Sequence, residues 1–173
     1  VTGSRAVVFD GSTSRLDLGD VFPFAGLTSF SVEVWLKPSV VDGQVRWIFD
    51  RNVGTGPSEG YDAYFADTFL LFARSTNDAE FGWVTMSRGP DNNSWSHIVT
   101  TLDSVASVIT LYVNGAQVAS GAANGTIGQG AGSLVFGDRA RPQFYKFVGA
   151  MDEIAVYDKP LSAARVTAHY AAR

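Results

Sequence analysis

Asp152 and Glu153 stand side by side in the stretch Phe-Val-Gly-Ala-Met-Asp-Glu-Ile-Ala-Val-Tyr-Asp-Lys-Pro-Leu-Ser, residues 147–162. Alternation at period two puts Asp152 in phase with Ile154 and Val156, on the face expected to point into a core. A buried carboxylate needs a cation, a set of donors or a proton. Glu153 falls on the opposite face, in phase with Tyr157, and Glu33 could share that face. Glycoside hydrolysis requires two carboxylates flanking the bond. The two histidines, His97 and His169, have no third partner and no metal-ligand spacing, and no serine sits in a nucleophile-elbow context. Packing is the reading for both. The chain has no cysteine, which excludes thiolate metal sites, disulfides and a cysteine nucleophile.

A second kind of chemistry lies in the aromatics. Sugar recognition needs a ring face for the apolar side of a pyranose, and Arg, Asp, Asn or Gln for its hydroxyls. Trp47, Tyr61, Tyr64 and Trp83 have Arg46, Arg51, Asp62, Arg74 and Arg88 around them in sequence. The stretch Asp-Arg-Ala-Arg-Pro-Gln-Phe-Tyr, residues 138–145, adds Arg139, Arg141, Gln143 and Tyr145. The ligand-binding set read from these groups is Trp47, Arg51, Tyr61, Asp62, Tyr64, Trp83, Arg139, Arg141, Gln143 and Tyr145. So many arginines suit an acidic or terminal sugar above others. The competing reading of 138–145 is a solvated loop with Phe144 plugging the core.

The elements that must position these residues are strands. Phe30, Val32, Val34 and Leu36 alternate with Ser31, Glu33, Trp35 and Lys37, and Pro38 ends the run. Further runs are expected at 5–10, 15–18, 45–50, 61–65, 69–74, 81–87, 95–103, 108–113, 117–120 and 133–137. Asn114-Gly115 between two of them is a strong hairpin signal. Only the tail reads as helical, with Ser162 as N-cap and Leu161 packing on Val166 as a hydrophobic staple. Many short strands and one late helix imply an all-β fold, a jelly-roll β-sandwich of two antiparallel sheets with one short C-terminal helix. The length suits a single domain over residues 1–173.

Composition narrows the function classes. Apolar residues at 46% predict a folded chain, and aromatics at 13% favour a β-rich one. The net charge is −4 with no basic run, which argues against nucleic acid as a partner. No apolar stretch approaches the roughly 18 residues of a membrane-spanning helix. The first residue is Val1, which suggests a processed protein or a domain of a longer one.

At five places the residues carry a resemblance. These are Val8-Phe9-Asp10-Gly11, the run Ser29–Pro38, Trp95-Ser96-His97-Ile98-Val99, Leu111-Tyr112-Val113-Asn114-Gly115 and the Gly-x-x-Asp-Glu-Ile-x-x-Tyr-Asp-x-x-Leu-Ser run over 149–162. In this order they resemble the bacterial laminin-G-like domains of the concanavalin A-like lectin/glucanase superfamily. The resemblance implies a jelly roll, and modules that bind carbohydrate on a loop rim or on a concave sheet. It implies a structural Ca²⁺ where the first and last strands meet, with Asp10 and Asp152 as the carried-over ligands. Trp35 and Trp95 fall on motif positions and read as scaffold. The glucanases of the superfamily carry Glu-x-Asp-x-x-Glu on a strand, and no stretch here matches it.

The expectation is therefore a lectin-like, non-catalytic carbohydrate-binding module, secreted or at the cell surface. Its partners would be a polysaccharide or oligosaccharide and a glycan-active catalytic domain in the same parent chain. The alternative is a structural or adhesion module packing on a neighbouring domain or protein partner.

Overall fold

A computed structural model of the chain describes residues 5–26, 28–53, 59–76, 79–123, 127, 132–139 and 146–173. Arg141, Gln143 and Tyr145 lie outside the described residues. Among the described residues, twelve strands form two antiparallel sheets of six, followed by one helix, which is the architecture of a jelly-roll sandwich. Sheet one contains β1 (Val7–Asp10), β12 (Val148–Tyr157), β3 (Phe30–Pro38), β8 (Ser96–Asp103), β9 (Val108–Val113) and β10 (Ala116–Ala122), in that spatial order. Sheet two contains β2 (Leu16–Asp17), β11 (Val135–Phe136), β4 (Arg46–Val53), β5 (Glu59–Ala66), β6 (Phe69–Thr76) and β7 (Ala79–Met86). Every pairing is antiparallel, and the first strand lies against the last.

The core fills the space between the sheets. Phe30, Val32, Val34 and Leu36 project into it from β3, the face that alternation assigns. Phe49, Ala63, Phe72 and Val84 stand in register across β4, β5, β6 and β7 and meet them from the other side. Burying one such phenylalanine stabilises the fold by about 1.5–3 kcal/mol. Because side chains alternate, this inward row also defines which residues of sheet two face out.

Sheet one is covered on its outer face too. The helix α1 (Ala163–Ala171) is capped by Ser162, whose Oγ accepts from the Arg165 N–H at 3.4 Å. Leu161 and Val166 pack with Val99 and Tyr112 in a second, smaller cluster, as the staple predicts. The Asn114-Gly115 turn has positive φ at both residues, 50° and 78°, the geometry of the tight hairpin. Gly115 is needed twice. Its φ is positive, and a Cβ there would come within 2.9 Å of the Tyr170 ring.

The last strand departs from simple alternation. Its register with β3 shifts between Asp152 and Ala155, and Glu153 has φ of 50°. This bulge reverses the phase. Met151 faces the core before it, and Ile154 and Val156 pack against the core after it. Asp152 therefore does not share the inward face of Ile154 and Val156. It stands opposite Trp35, on the outer side of sheet one.

Candidate functional site

Two regions carry the chemistry that the sequence offers, one on the outer face of each sheet. On sheet one, Glu33 is the centre. Its Oε1 receives His97 Nε2 at 2.7 Å, its Oε2 receives the Tyr157 hydroxyl at 2.8 Å, and His169 Nδ1 reaches Oε2 at 3.0 Å and Oε1 at 3.2 Å. Burial opposes the charge, yet the hydrogen bonds from His97, Tyr157 and His169 hold the carboxyl down at about 2. Burial, and then Glu33 itself, push the Tyr157 phenol up to about 12. Trp35 lies between His97, at 5.0 Å, and Tyr170, at 5.6 Å. The Arg173 guanidinium sits 4.7 Å from the Trp35 ring and 4.8 Å from that of Trp95, and pairs with Asp152 at 3.0 Å. A cleft of about 300 Å³ remains here, lined by Glu33, Glu153, Tyr157 and His169 among others. Glu33 and Glu153 thus do share one face.

On sheet two, two rows face away from the core. One runs through Asp50, Asp62 and Trp83, and the next through Trp47, Tyr64 and Thr85. Trp47 and Tyr64 touch, with ring centroids 4.7 Å apart. The Arg139 guanidinium lies over Trp47 at 4.8 Å, and its Nε is 3.8 Å from Asp50 Oδ2. Asp50 is 0% exposed, while Trp83 at the far edge is 51% exposed. The face thus grades from a covered, charged end to an open aromatic one.

The predicted ligand residues divide accordingly. Trp47, Tyr64, Asp62, Trp83 and Arg139 are brought to this one face. Arg51 and Tyr61 are not, and this corrects their assignment. Arg51 is 1% exposed, and its Nε and NH2 donate to the Val21 carbonyl at 2.8 Å and to Asp20 Oδ1 at 2.7 Å. Tyr61 lies in the core beside Phe24 and Phe30, and its hydroxyl donates to the Phe22 carbonyl at 2.9 Å. Burial raises its phenol well above the usual range. Both side chains point inward and hold the 20–22 loop, out of reach of a ligand on the outer face. Asp50 escaped the sequence reading. Its only signal there was its place three residues after Trp47, and the pairing with Asp62 is a matter of register between strands.

The proposed calcium ligands do not converge. Asp10 stands opposite Val148, whereas Asp152 lies beyond Met151, the partner of Val7 at the other end of β1. Asp10 Oδ1 accepts the backbone N–H groups of Ser12, Thr13 and Ser14 at 2.8–2.9 Å, and Oδ2 accepts the Thr13 hydroxyl at 2.8 Å. These bonds, Ser14's the foremost, hold its carboxyl far below the ordinary range. Asp152 has Arg173 and the Glu153 N–H. Ca²⁺ takes six to eight oxygens around one point. A pair at opposite ends of a strand, with donors on both, does not fit one shared ion. Among the described residues no group of three or more His, Cys, Asp or Glu side chains gathers to hold a metal.

Residues 10–167 match the Laminin_G_3 family of the concanavalin A-like lectin/glucanases superfamily, so the chain belongs to that family. Solved structures carry the same fold. The CBM40 of a Ruminococcus gnavus IT-sialidase superposes with a TM-score of 0.80 at 14% identity, covering 96% of this chain and 97% of that one. The same module bound to α2,3 sialyllactose gives 0.79 at 14% identity, covering 96% of both. Domain 4 of AbnA, a GH43 extracellular arabinanase from Geobacillus stearothermophilus, in complex with arabinotriose, gives 0.72 at 19% identity, covering 94% of this chain and 75% of that one. No curated protein matches the chain in sequence. Among the described residues no helix is long and apolar enough to cross a membrane.

Proposed function

We propose that this chain is a non-catalytic carbohydrate-binding module that holds a secreted glycan-active enzyme, of which it forms part, against its polysaccharide. The observation that carries this reading is the outer face of sheet two. Trp83 is half exposed on an edge strand, Tyr64 lies in the neighbouring row, and Arg139, over Trp47, supplies a polar group towards the other end of the same face. An aromatic platform beside a few converging polar groups is what sugar binding needs. Binding to the polymer would raise the local concentration of a tethered catalytic domain without chemistry. Solved neighbours bound to sialyllactose and arabinotriose lend support at the level of the fold.

The carboxylates favour binding over hydrolysis. Asp50 and Asp62 are direct cross-strand neighbours, but Asp50 is wholly buried beside Arg139. It has no access to a glycosidic bond. Glu33, its carboxyl held at about 2 by its three donors, is ionised near neutral pH and has no proton to give there as a general acid. Calcium in the parent's fold family remains outside this mechanism, because the residues carried over for it do not meet.

The test is a glycan array with the isolated chain, followed by calorimetry on the best ligand. Saturable binding that Trp83→Ala weakens at least tenfold supports the proposal. A folded chain that binds no plant, algal, fungal or host glycan would overturn it in favour of a module that packs on a protein partner.

A further inference from the structure

We infer that α1 is a detachable strap: it opens from the outer face of sheet one as a unit while both sheets stay folded, and Arg173 is its lock. Little apolar surface fixes the helix. Of its nine residues only Val166 is buried, and Ala163, Ala164, Ala168 and Ala171 are exposed. Alanine favours a helix but gives a neighbouring sheet little to bury. Leu161 and Val166 supply the strap's whole share of the cluster with Val99 and Tyr112. Among the described residues no backbone–backbone hydrogen bond joins the helix to a strand. The sheet beneath is complete without it: β3 pairs with β12 on one side and with β8 on the other, and β8 pairs with β9. A helix this short lies below the roughly 12–15 residues at which isolated helices become even marginally stable. The segment therefore loses its helix as it leaves the sheet, in one step.

The remaining ties are polar or aromatic, and they gather towards the end of the helix. Thr167 Oγ1 donates to the Gly115 carbonyl at 2.9 Å, and His169 Nδ1 meets Glu33 Oε2 at 3.0 Å. The Tyr170 ring lies nearly parallel to Trp35, 13° apart in plane, yet stays 39% exposed. Arg173, just past the helix, closes the set. Its guanidinium lies over the rings of both Trp35 and Trp95 and pairs with Asp152. A planar guanidinium can stack on rings and bind a carboxylate at once, which the compact ammonium of lysine does less well. The strap is not seated flush. The cleft of about 300 Å³ lies at its end, walled by His169, Ala172 and Arg173 as well as by Glu33, Trp35 and Tyr157. Few contacts are lost on opening, and Arg173 bridges the gap. Opening bares Trp35, Val99 and Tyr112 and takes one donor from Glu33. Sheet one thus carries an aromatic face that is present in the open state and covered in the closed one.

Native-state hydrogen exchange on the intact chain, followed by NMR at several low urea concentrations, tests this. In wild type the amides of residues 166–172 should share one protection factor, about a hundredfold or more below those in the middle of β3 and β8. Helix protection should barely change with urea, because opening exposes little surface, while strand protection falls steeply. Arg173→Ala should lower the helix protection about tenfold, and Arg173→Lys, which keeps the charge but not the stack on two rings, should lie between. Helix and strand amides with equal protection and equal urea dependence would mean that α1 opens only with the whole fold, which overturns the inference. Protection that declines gradually towards residue 172 is fraying, not a strap, and overturns it too. Helix protection that Arg173→Ala leaves unchanged refutes the lock.

Discussion

The outer face of sheet one and that of sheet two are assembled from the same parts: a carboxylate, a tryptophan and an arginine stacked on it. On sheet one these are Glu33, Trp35 and Arg173; on sheet two they are Asp62, Trp47 and Arg139. Their states differ. Glu33 takes three side-chain donors, and Trp35 is enclosed by His97 and Tyr170. The helix α1 supplies two of these groups, His169 and Tyr170, so the cluster is a seam between helix and sheet. On sheet two Trp83 stands half exposed in the same row as Asp62. Residue type alone therefore does not mark a binding site. Exposure does: a polar group held by donors of its own chain under a helix holds the fold, and an aromatic ring left open at a sheet edge is available to a ligand.

The comparison can be broken most severely at Glu33. Glu33→Ala should remove about 3 kcal/mol of stability, because it strands the buried His97 donor and the half-buried donors of Tyr157 and His169. That corresponds to a melting temperature lower by roughly 6–12 °C for a chain of this size. Calorimetric unfolding reads it, and glycan affinity measured well below the transition should stay within twofold. An equal loss of affinity would show that the two faces are not separate.

Acid should reach the same seam. The folded carboxyl of Glu33 lies at about 2, below its ordinary 4.5. Its contribution is therefore present above pH 4.5 and is lost as pH falls towards 2. The loss is on the order of 2 kcal/mol, and it should be absent from Glu33→Gln. Urea titrations of both proteins between pH 5 and 3 would show whether the slopes differ. Parallel curves would refute the assignment.

Trp83→Ala sharpens the other half. It should lower glycan affinity about tenfold, or roughly 1.4 kcal/mol. The melting point should move by no more than a few degrees, because the side chain is half exposed. The smallest effect is expected at Asp10. Asp10→Ala should lower the melting temperature by a few degrees through the loss of its turn. The shift should be the same in excess calcium and in chelator. A shift confined to the calcium sample would restore a metal role for Asp10.

Much of the fold was legible because its signals are local. Alternation found β3 to within a residue, Asn114-Gly115 placed the β9–β10 hairpin, and Ser162 capped the helix as expected. The site was legible only in part. Trp47, Tyr64, Asp62, Trp83 and Arg139 were chosen by type and do share a face. Arg51 and Tyr61 were chosen by the same rule and point inward. On a sheet whose two faces are both partly covered, period two separates the faces but does not say which is which. Asp152 failed for another reason: a single inserted residue in β12 reversed its phase, and nothing in the local pattern announces a bulge.

Sequence by itself determined the strands, the turns, the capped helix and the pool of aromatic and charged residues. These depend on neighbours a few positions away, through alternation, turn chemistry and side-chain capping. Only the tertiary structure decided how charges pair. It set Asp50 beside Asp62, turned Arg139 onto Trp47, gave Arg173 to Asp152 and kept Asp10 away from it. Those pairings depend on the register between strands distant in the chain and on where α1 comes to rest. The arginines counted in the sequence are a supply of positive charge, and the fold determines how much of it is left for a ligand.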